Sequence, residues 1–311
     1  MERVHIDLAE LEYETYGSGE PVLLVHGSHL CDAFLPLIHQ PALTSGYRLI
    51  HYHRRGFAAS THPKEKVSIA RQAADAAQLL DRLGMSGPVH VVGHSYGGVI
   101  ALQLALDTPE LVHSLALLEP TRPLPPGAQA TFKRQVARTI RLYTPGDKAG
   151  AVKAFLRAFG GSDWQRIIES RIPHGVKSAV RDADTFFQIE LPALREWEFG
   201  PEEAATITQP ALSVLGTESQ GFFREGRKLL HSWLPHVEDF DLQGATHFLQ
   251  IQDPEGIAKG LVAFLFRYPI PSPDPDPGIP WPQARHTVGT GCRSVLGSGS
   301  LLKRNLRAWR P

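Results

Sequence analysis

Val89 to Gly98 reads VHVVGHSYGG. Val89, Val91 and Val92 favour a buried strand, Gly93 and Gly97 around Ser95 favour an abrupt turn, and the apolar run Val99 to Leu106 favours a helix. A G-x-S-x-G pattern in that setting predicts a nucleophile elbow, with Ser95 on a tight strand-to-helix corner and exposed to a substrate. The glycines let neighbouring backbone pass where a Cβ would collide. The helix N-terminus supplies a positive field and a free amide beneath the serine.

Working outward from that corner, Val4 to Leu8 and Leu11 to Tyr16 alternate like an antiparallel pair, followed by the turn Gly17-Ser18-Gly19. Val22 to Val25 is a short apolar run that suits a strand buried on both faces of a mostly parallel sheet, and it ends in His26-Gly27-Ser28-His29. Tyr47 to Tyr52 predicts the next strand, ahead of His53-Arg54-Arg55-Gly56-Phe57, and Ser68 to Leu83 has amphipathic helical spacing.

Beyond the elbow, Leu115 to Leu118 predicts a strand that ends at Glu119-Pro120. The region 121–209 then turns helical, with helices expected over Ala128 to Tyr143, Lys148 to Phe159, Asp163 to Ile172, Ser178 to Leu191 and Leu194 to Phe199. Strands return at Ala211 to Leu215 and Val237 to Leu242, and Asp253-Pro254 starts a helix that runs to Phe266. The expected organisation is a core in two parts, 1–120 and 210–268, a helical cap at 121–209 that walls off the top of the active site, and a Pro-rich, basic tail at 269–311.

The 311 residues are ample for one large core with an insertion, and 32 basic against 32 acidic residues leave no electrostatic footprint for nucleic acid or an anionic membrane over the whole chain. A neutral small molecule is the expected partner, with homo-oligomerisation left open. Two cysteines, Cys31 and Cys292, make no disulfide scaffold. The N-terminus reads as having no leader, and no apolar run spans a bilayer, so a cytoplasmic protein is expected.

A serine hydroxyl needs an imidazole to take its proton, and the imidazole needs a carboxylate to orient it. Of the 15 histidines, His247 is the candidate base, because it sits in a glycine-flanked loop between the last predicted strand and the last helix. His94, next to Ser95 in a turn, is expected to point elsewhere. Two acids fall between the serine and the histidine at strand ends, Glu119 and Glu218, and Asp241 is a weaker third. The backbone amides of Tyr96 and Ser28 are the expected oxyanion donors. His26, His29, His51 and His53 lack a recognised ligand spacing, so no metal is expected. Trp164, Phe186, Phe187, Trp197 and Phe199 are equally suited to a pocket lining and to a helix core.

Over about Leu11 to Phe266 the chain resembles an α/β-hydrolase, in its HG loop, HRRG turn, GHSYGG elbow and terminal GATHF and DPE segments. The resemblance implies an α/β fold whose mostly parallel central sheet carries an inserted helical cap. Many relatives have an aspartate three residues beyond the strand-ending glycine, where this chain has Ser219; others carry the acid after the preceding strand, at the position of Glu119. The resemblance therefore favours Glu119 over Glu218. A serine nucleophile points to acyl transfer from an ester or lactone, with no cofactor, and away from the aspartate-dependent epoxide hydrolases and haloalkane dehalogenases. Carbon-carbon bond hydrolysis, perhydrolase-type chemistry and a catalytically inactive ligand-binding homologue are the alternatives.

Overall fold

The structure is a computed structural model and describes residues 1–271 except 86, 145 and 235. The tail expected at 269–311 lies outside the described residues from position 272 onward. Among the described residues eight strands form one sheet: β1 (Glu2–Ile6), β2 (Ala9–Tyr16), β3 (Glu20–Val25), β4 (Tyr47–Tyr52), β5 (Val89–His94), β6 (Val112–Leu118), β7 (Ala211–Gly216) and β8 (Val237–Leu242). Their order is β1-β2-β4-β3-β5-β6-β7-β8. β2 runs antiparallel to both β1 and β4, and every other neighbouring pair is parallel. The alternating sequences of β1 and β2 thus lie at the part-exposed edge, while β5 and β7, without alternation, are buried throughout.

Successive side chains of a strand face opposite ways, so the sheet builds two apolar layers. Leu23, Val25, Val91, Leu115 and Leu117 pack with α3 (Ile69–Arg82) and α4 (Tyr96–Asp107). Val22, Leu24, Val92, Ala116 and Leu118 pack with α1 (Leu35–Ile38) and α13 (Pro254–Arg267), and each of the buried valines and leucines contributes about 1.5–3 kcal/mol. α2 (Pro41–Thr44) precedes β4. Ser68 caps α3 by accepting from the Arg71 amide at 3.0 Å, and Asp253 caps α13 by accepting from the Gly256 amide at 2.8 Å.

Between β6 and β7 the chain is helical: α5 (Pro126–Tyr143), α6 (Lys148–Gly160), α7 (Trp164–Arg171), α8 (Gly175–Arg181), a π-helical turn (Thr185–Glu190), α9 (Leu191–Glu196) and α10 (Pro201–Ala204). The helix expected over Ser178 to Leu191 is thus broken. Pro192 has no amide for the carbonyl one turn back and its ring crowds that carbonyl, and the wider π turn relieves the conflict. After β7 comes α11 (Gly221–Trp233), which the reading above missed, although Phe222, Gly226 and Leu230 at four-residue spacing form its buried stripe. α12 (Leu249–Gln252) completes the set, and among the described residues no helix is long and apolar enough to cross a membrane.

Candidate active site

Ser95 joins β5 to α4 with φ 56° and ψ −117°, a conformation that costs an ordinary residue about 1–3 kcal/mol. The surrounding backbone holds it there. The Ser95 amide donates to the Leu118 carbonyl at 2.9 Å, and the Ser95 carbonyl accepts from the Gly98 amide at 3.0 Å and the Thr121 amide at 3.2 Å. Gly97 is required by proximity, since a Cβ there would lie 2.0 Å from the Val25 carbonyl oxygen. β3, β5, β6 and α4 therefore converge on one residue.

His247 reaches the same point from the loop between β8 and α12. Its Nε2 lies 2.9 Å from Ser95 Oγ, and its Nδ1 lies 2.6 Å from Glu119 Oε2. The carboxylate accepts the Nδ1 hydrogen, which leaves Nε2 to accept from the serine hydroxyl. Glu119 is in turn held by the Gly216 amide, which donates to Oε1 at 2.8 Å. All three side chains are buried, and burial drives the two titratable ones toward neutrality. The Glu119 carboxyl is pushed up to about 7, with the Gly216 amide opposing the shift, and the His247 imidazole is pushed down to about 3.

Glu218 makes no hydrogen bond to His247 among the described residues: it is exposed on the turn after β7, where its amide donates to the Ala245 carbonyl at 2.9 Å. Asp241 points away to an ion pair with Arg227. His94 turns from the serine hydroxyl, and its Nε2 donates to the His247 carbonyl at 2.9 Å.

The amides of Ser28 and Tyr96 have no hydrogen-bond acceptor among the described residues. Gly27 sits against the serine, since a Cβ on it would lie 3.0 Å from Ser95 Cβ. The loop that carries Ser28 is fixed by Arg54, a residue whose role sequence reasoning missed. Arg54 Nε donates to the His26 carbonyl at 3.0 Å and Nη2 to the Gly27 carbonyl at 2.9 Å, while the Arg54 amide donates to His26 Nε2 at 3.0 Å. His26 Nδ1 then donates to the Gly27 carbonyl at 2.7 Å. The guanidinium also meets Gln72 Oε1 at 2.5 Å and Glu190 Oε1 of the π turn at 2.6 Å, both in the interior. The HRRG turn was the available signal, because a buried arginine needs several acceptors and strand-end loops offer carbonyls.

A family model described as the alpha/beta hydrolase fold matches residues 20–254. The chain belongs to the alpha/beta hydrolase family. A RutD protein of Azorhizobium caulinodans, named for carbamate hydrolysis, is 37% identical over 119 residues, 38% of this chain and 44% of that one. This chain spans about half the length of the curated relatives it matches. Among solved structures, the enol-lactonase of Burkholderia xenovorans superposes with a TM-score of 0.73 at 20% identity, over 85% of this chain and 100% of that one. An esterase of Thermogutta terrifontis does so with a TM-score of 0.72 at 21% identity, over 86% and 99%. Both likenesses are of fold.

The site of this alpha/beta hydrolase has aromatic walls. Phe223 of α11 stacks on the His247 ring at 4.3 Å between centroids, and Phe159 of α6 lies 5.5 Å from it. His29, one residue past Ser28, is packed by Phe155 and Phe186 at 4.6 and 4.4 Å, with Phe187 further out. Of the other aromatics singled out above, Trp197 and Phe199 stack on each other, and the Trp197 indole donates to Gln103. Asp182 and Asp184 are likewise committed, to the Ala58 amide with Arg181 and to Tyr143 with Lys148.

His51 and His53 bond within the protein, whereas the two buried ring nitrogens of His29 have no hydrogen-bond partner among the described residues. His51 Nε2 meets the Cys31 carbonyl at 3.1 Å, and His53 lies between Glu12 at 3.1 Å and Asp32 at 2.9 Å. Cys31, Asp32 and His53 place possible ligand atoms within 4.8 Å of one another. With a carboxylate on each ring nitrogen, His53 is held as an imidazolium: burial acts to lower it, but Asp32 and Cys31 push it up to about 11.

Proposed function

We propose that the protein is a serine hydrolase that cleaves a small, partly apolar carboxylic ester or lactone through an acyl-enzyme intermediate, with the helices between β6 and β7 acting as its cap. The observation that carries this reading is the chain of hydrogen bonds from Ser95 Oγ through the His247 ring to Glu119. In that order, Ser95 Oγ attacks the substrate carbonyl as His247 Nε2 takes its proton. Glu119 faces the resulting imidazolium, and the Ser28 and Tyr96 amides donate to the oxyanion. Collapse breaks the bond to the leaving oxygen, which receives the proton from His247, and water repeats the sequence on the acyl group.

This proton bookkeeping is complete without a cofactor, and the aromatic surroundings favour an apolar acyl group over a charged one. Serine at the corner suits acyl transfer rather than the aspartyl-ester route to epoxide opening. The free, buried Cys31 fits a reducing, cytoplasmic setting.

Turnover of p-nitrophenyl butyrate and of a γ-lactone tests the reading. Both are expected to be hydrolysed, and Ser95→Ala is expected to lower kcat by about 10⁴-fold or more. Failure of the folded protein to hydrolyse any ester or lactone, alongside turnover of a β-diketone, would move it to carbon-carbon bond cleavage.

A further inference from the structure

The overall balance of charge conceals a local imbalance in α5 and α6. α5 carries Lys133, Arg134, Arg138 and Arg141, α6 carries Lys148, Lys153 and Arg157, and neither helix contains an aspartate or glutamate. Five of these, Arg134, Arg138, Arg141, Lys153 and Arg157, line a single groove of about 960 Å³. No carboxylate lines it, and none of the five is paired with one among the described residues.

Such an arrangement acts against the stability of both helices. Arg134 and Arg138, and Lys153 and Arg157, are like charges four residues apart, each pair unfavourable by about 0.2–0.5 kcal/mol, and the two walls repel across the groove. A bound polyanion offsets these repulsions by its attraction to each cation. Uncharged hydrogen-bonding side chains complete the lining, Thr131, Gln135 and Ser162 among them.

We propose that this groove binds a multiply phosphorylated small molecule. Four of the five cations are arginines, whose planar forks match phosphate oxygens in pairs. The cations converge from two walls on a concave space within the range of small-ligand sites, about 300–1,000 Å³, rather than spreading over a flat face as membrane contact needs. The groove includes neither Ser95 nor His247 and lies along helices whose Phe132 and Phe159 join the apolar interior, so it is separate from the hydrolytic centre.

Titration of the full chain with inorganic tripolyphosphate at low ionic strength, followed by calorimetry and by the fluorescence of Trp164 in the groove lining, tests the proposal without any substrate turnover. Saturable one-to-one binding is expected. Arg138→Glu is expected to weaken it by about 10-fold or more, the loss of a charge-assisted contact, whereas Arg82→Glu, the same charge change at an exposed position at the end of α3, leaves it intact. Neither variant is expected to alter hydrolysis of p-nitrophenyl butyrate. Absence of saturable binding, or equal weakening by the two variants, overturns the proposal. So does tight binding to phosphatidylglycerol vesicles by a protein that ignores tripolyphosphate, a result that would assign the groove to membranes. Because binding is read directly, loss of the hydrolase reading leaves this test unchanged.

Discussion

Arg54 donates from Nη2 to the carbonyl oxygen of Gly27 at 2.9 Å, and that carbonyl belongs to the same peptide unit as the Ser28 N–H. A cation on the oxygen end of a peptide polarises its N–H and fixes its plane. The oxyanion donor proposed at Ser28 is therefore set by a buried guanidinium, which is itself tied through Glu190 to the helical insertion.

For Glu190→Gln the expected outcome is a fall of about 10- to 100-fold in kcat with KM for a short ester little changed, since an oxyanion donor acts mainly in the transition state. Affinity for a boronic acid that forms a tetrahedral adduct should fall in parallel. A variant that loses thermal stability but keeps both kcat and boronate affinity would show that Arg54 and Glu190 serve the fold alone.

Replacement of Glu119 by glutamine is expected to lower kcat by about 10³–10⁴-fold, because an amide donor facing Nδ1 selects the wrong imidazole tautomer. Stability should move the other way. The folded-state carboxyl is raised by burial to about 7, so its contribution to stability is fully present below the ordinary carboxylate range and is lost as pH rises through about 7. Glutamine has no proton to lose, and the Tm advantage of Glu119→Gln over the parent should grow between pH 5 and pH 9. A constant Tm difference across that range would contradict the buried-carboxyl account.

The pH profile of kcat/KM should rise through a single limb centred near 7, as Glu119 ionises beside an already neutral His247. Ser219→Asp should move that limb to higher pH by placing a second negative charge near Glu119. An unmoved limb in that variant would remove Glu119 from the titration.

Gly97→Ala is expected to destabilise the protein by about 3 kcal/mol or to prevent folding, because the added Cβ meets backbone at Val25 that cannot move without displacing β3. Chemical denaturation measures this directly. A stable, fully active variant would show that the close approach of α4 to β3 is not needed.

The fold was legible where one physical demand dominated: continuous apolar runs marked the inner strands, and VHVVGHSYGG marked the corner. α11 escaped because its two adjacent phenylalanines and its basic residues blur the helical stripe when read alone. Chain order alone left Glu119 and Glu218 equivalent; the resemblance favoured Glu119, and the structure places its carboxylate against His247. Arg54 was visible as part of HRRG, but its partners lie at positions 26, 27, 72 and 190, joined by topology rather than by spacing. The charge of the α5/α6 groove was hidden in a total that sums to zero.

In the proposed mechanism Ser95 carries the acyl group. Mixing the enzyme with p-nitrophenyl butyrate, quenching in acid within the first turnover and mapping the digest by mass spectrometry tests it most directly. A butyryl adduct is expected on the peptide containing Ser95, absent in Ser95→Ala. Rapid turnover by the parent with no adduct on Ser95, or with the butyryl group on another side chain, would contradict it.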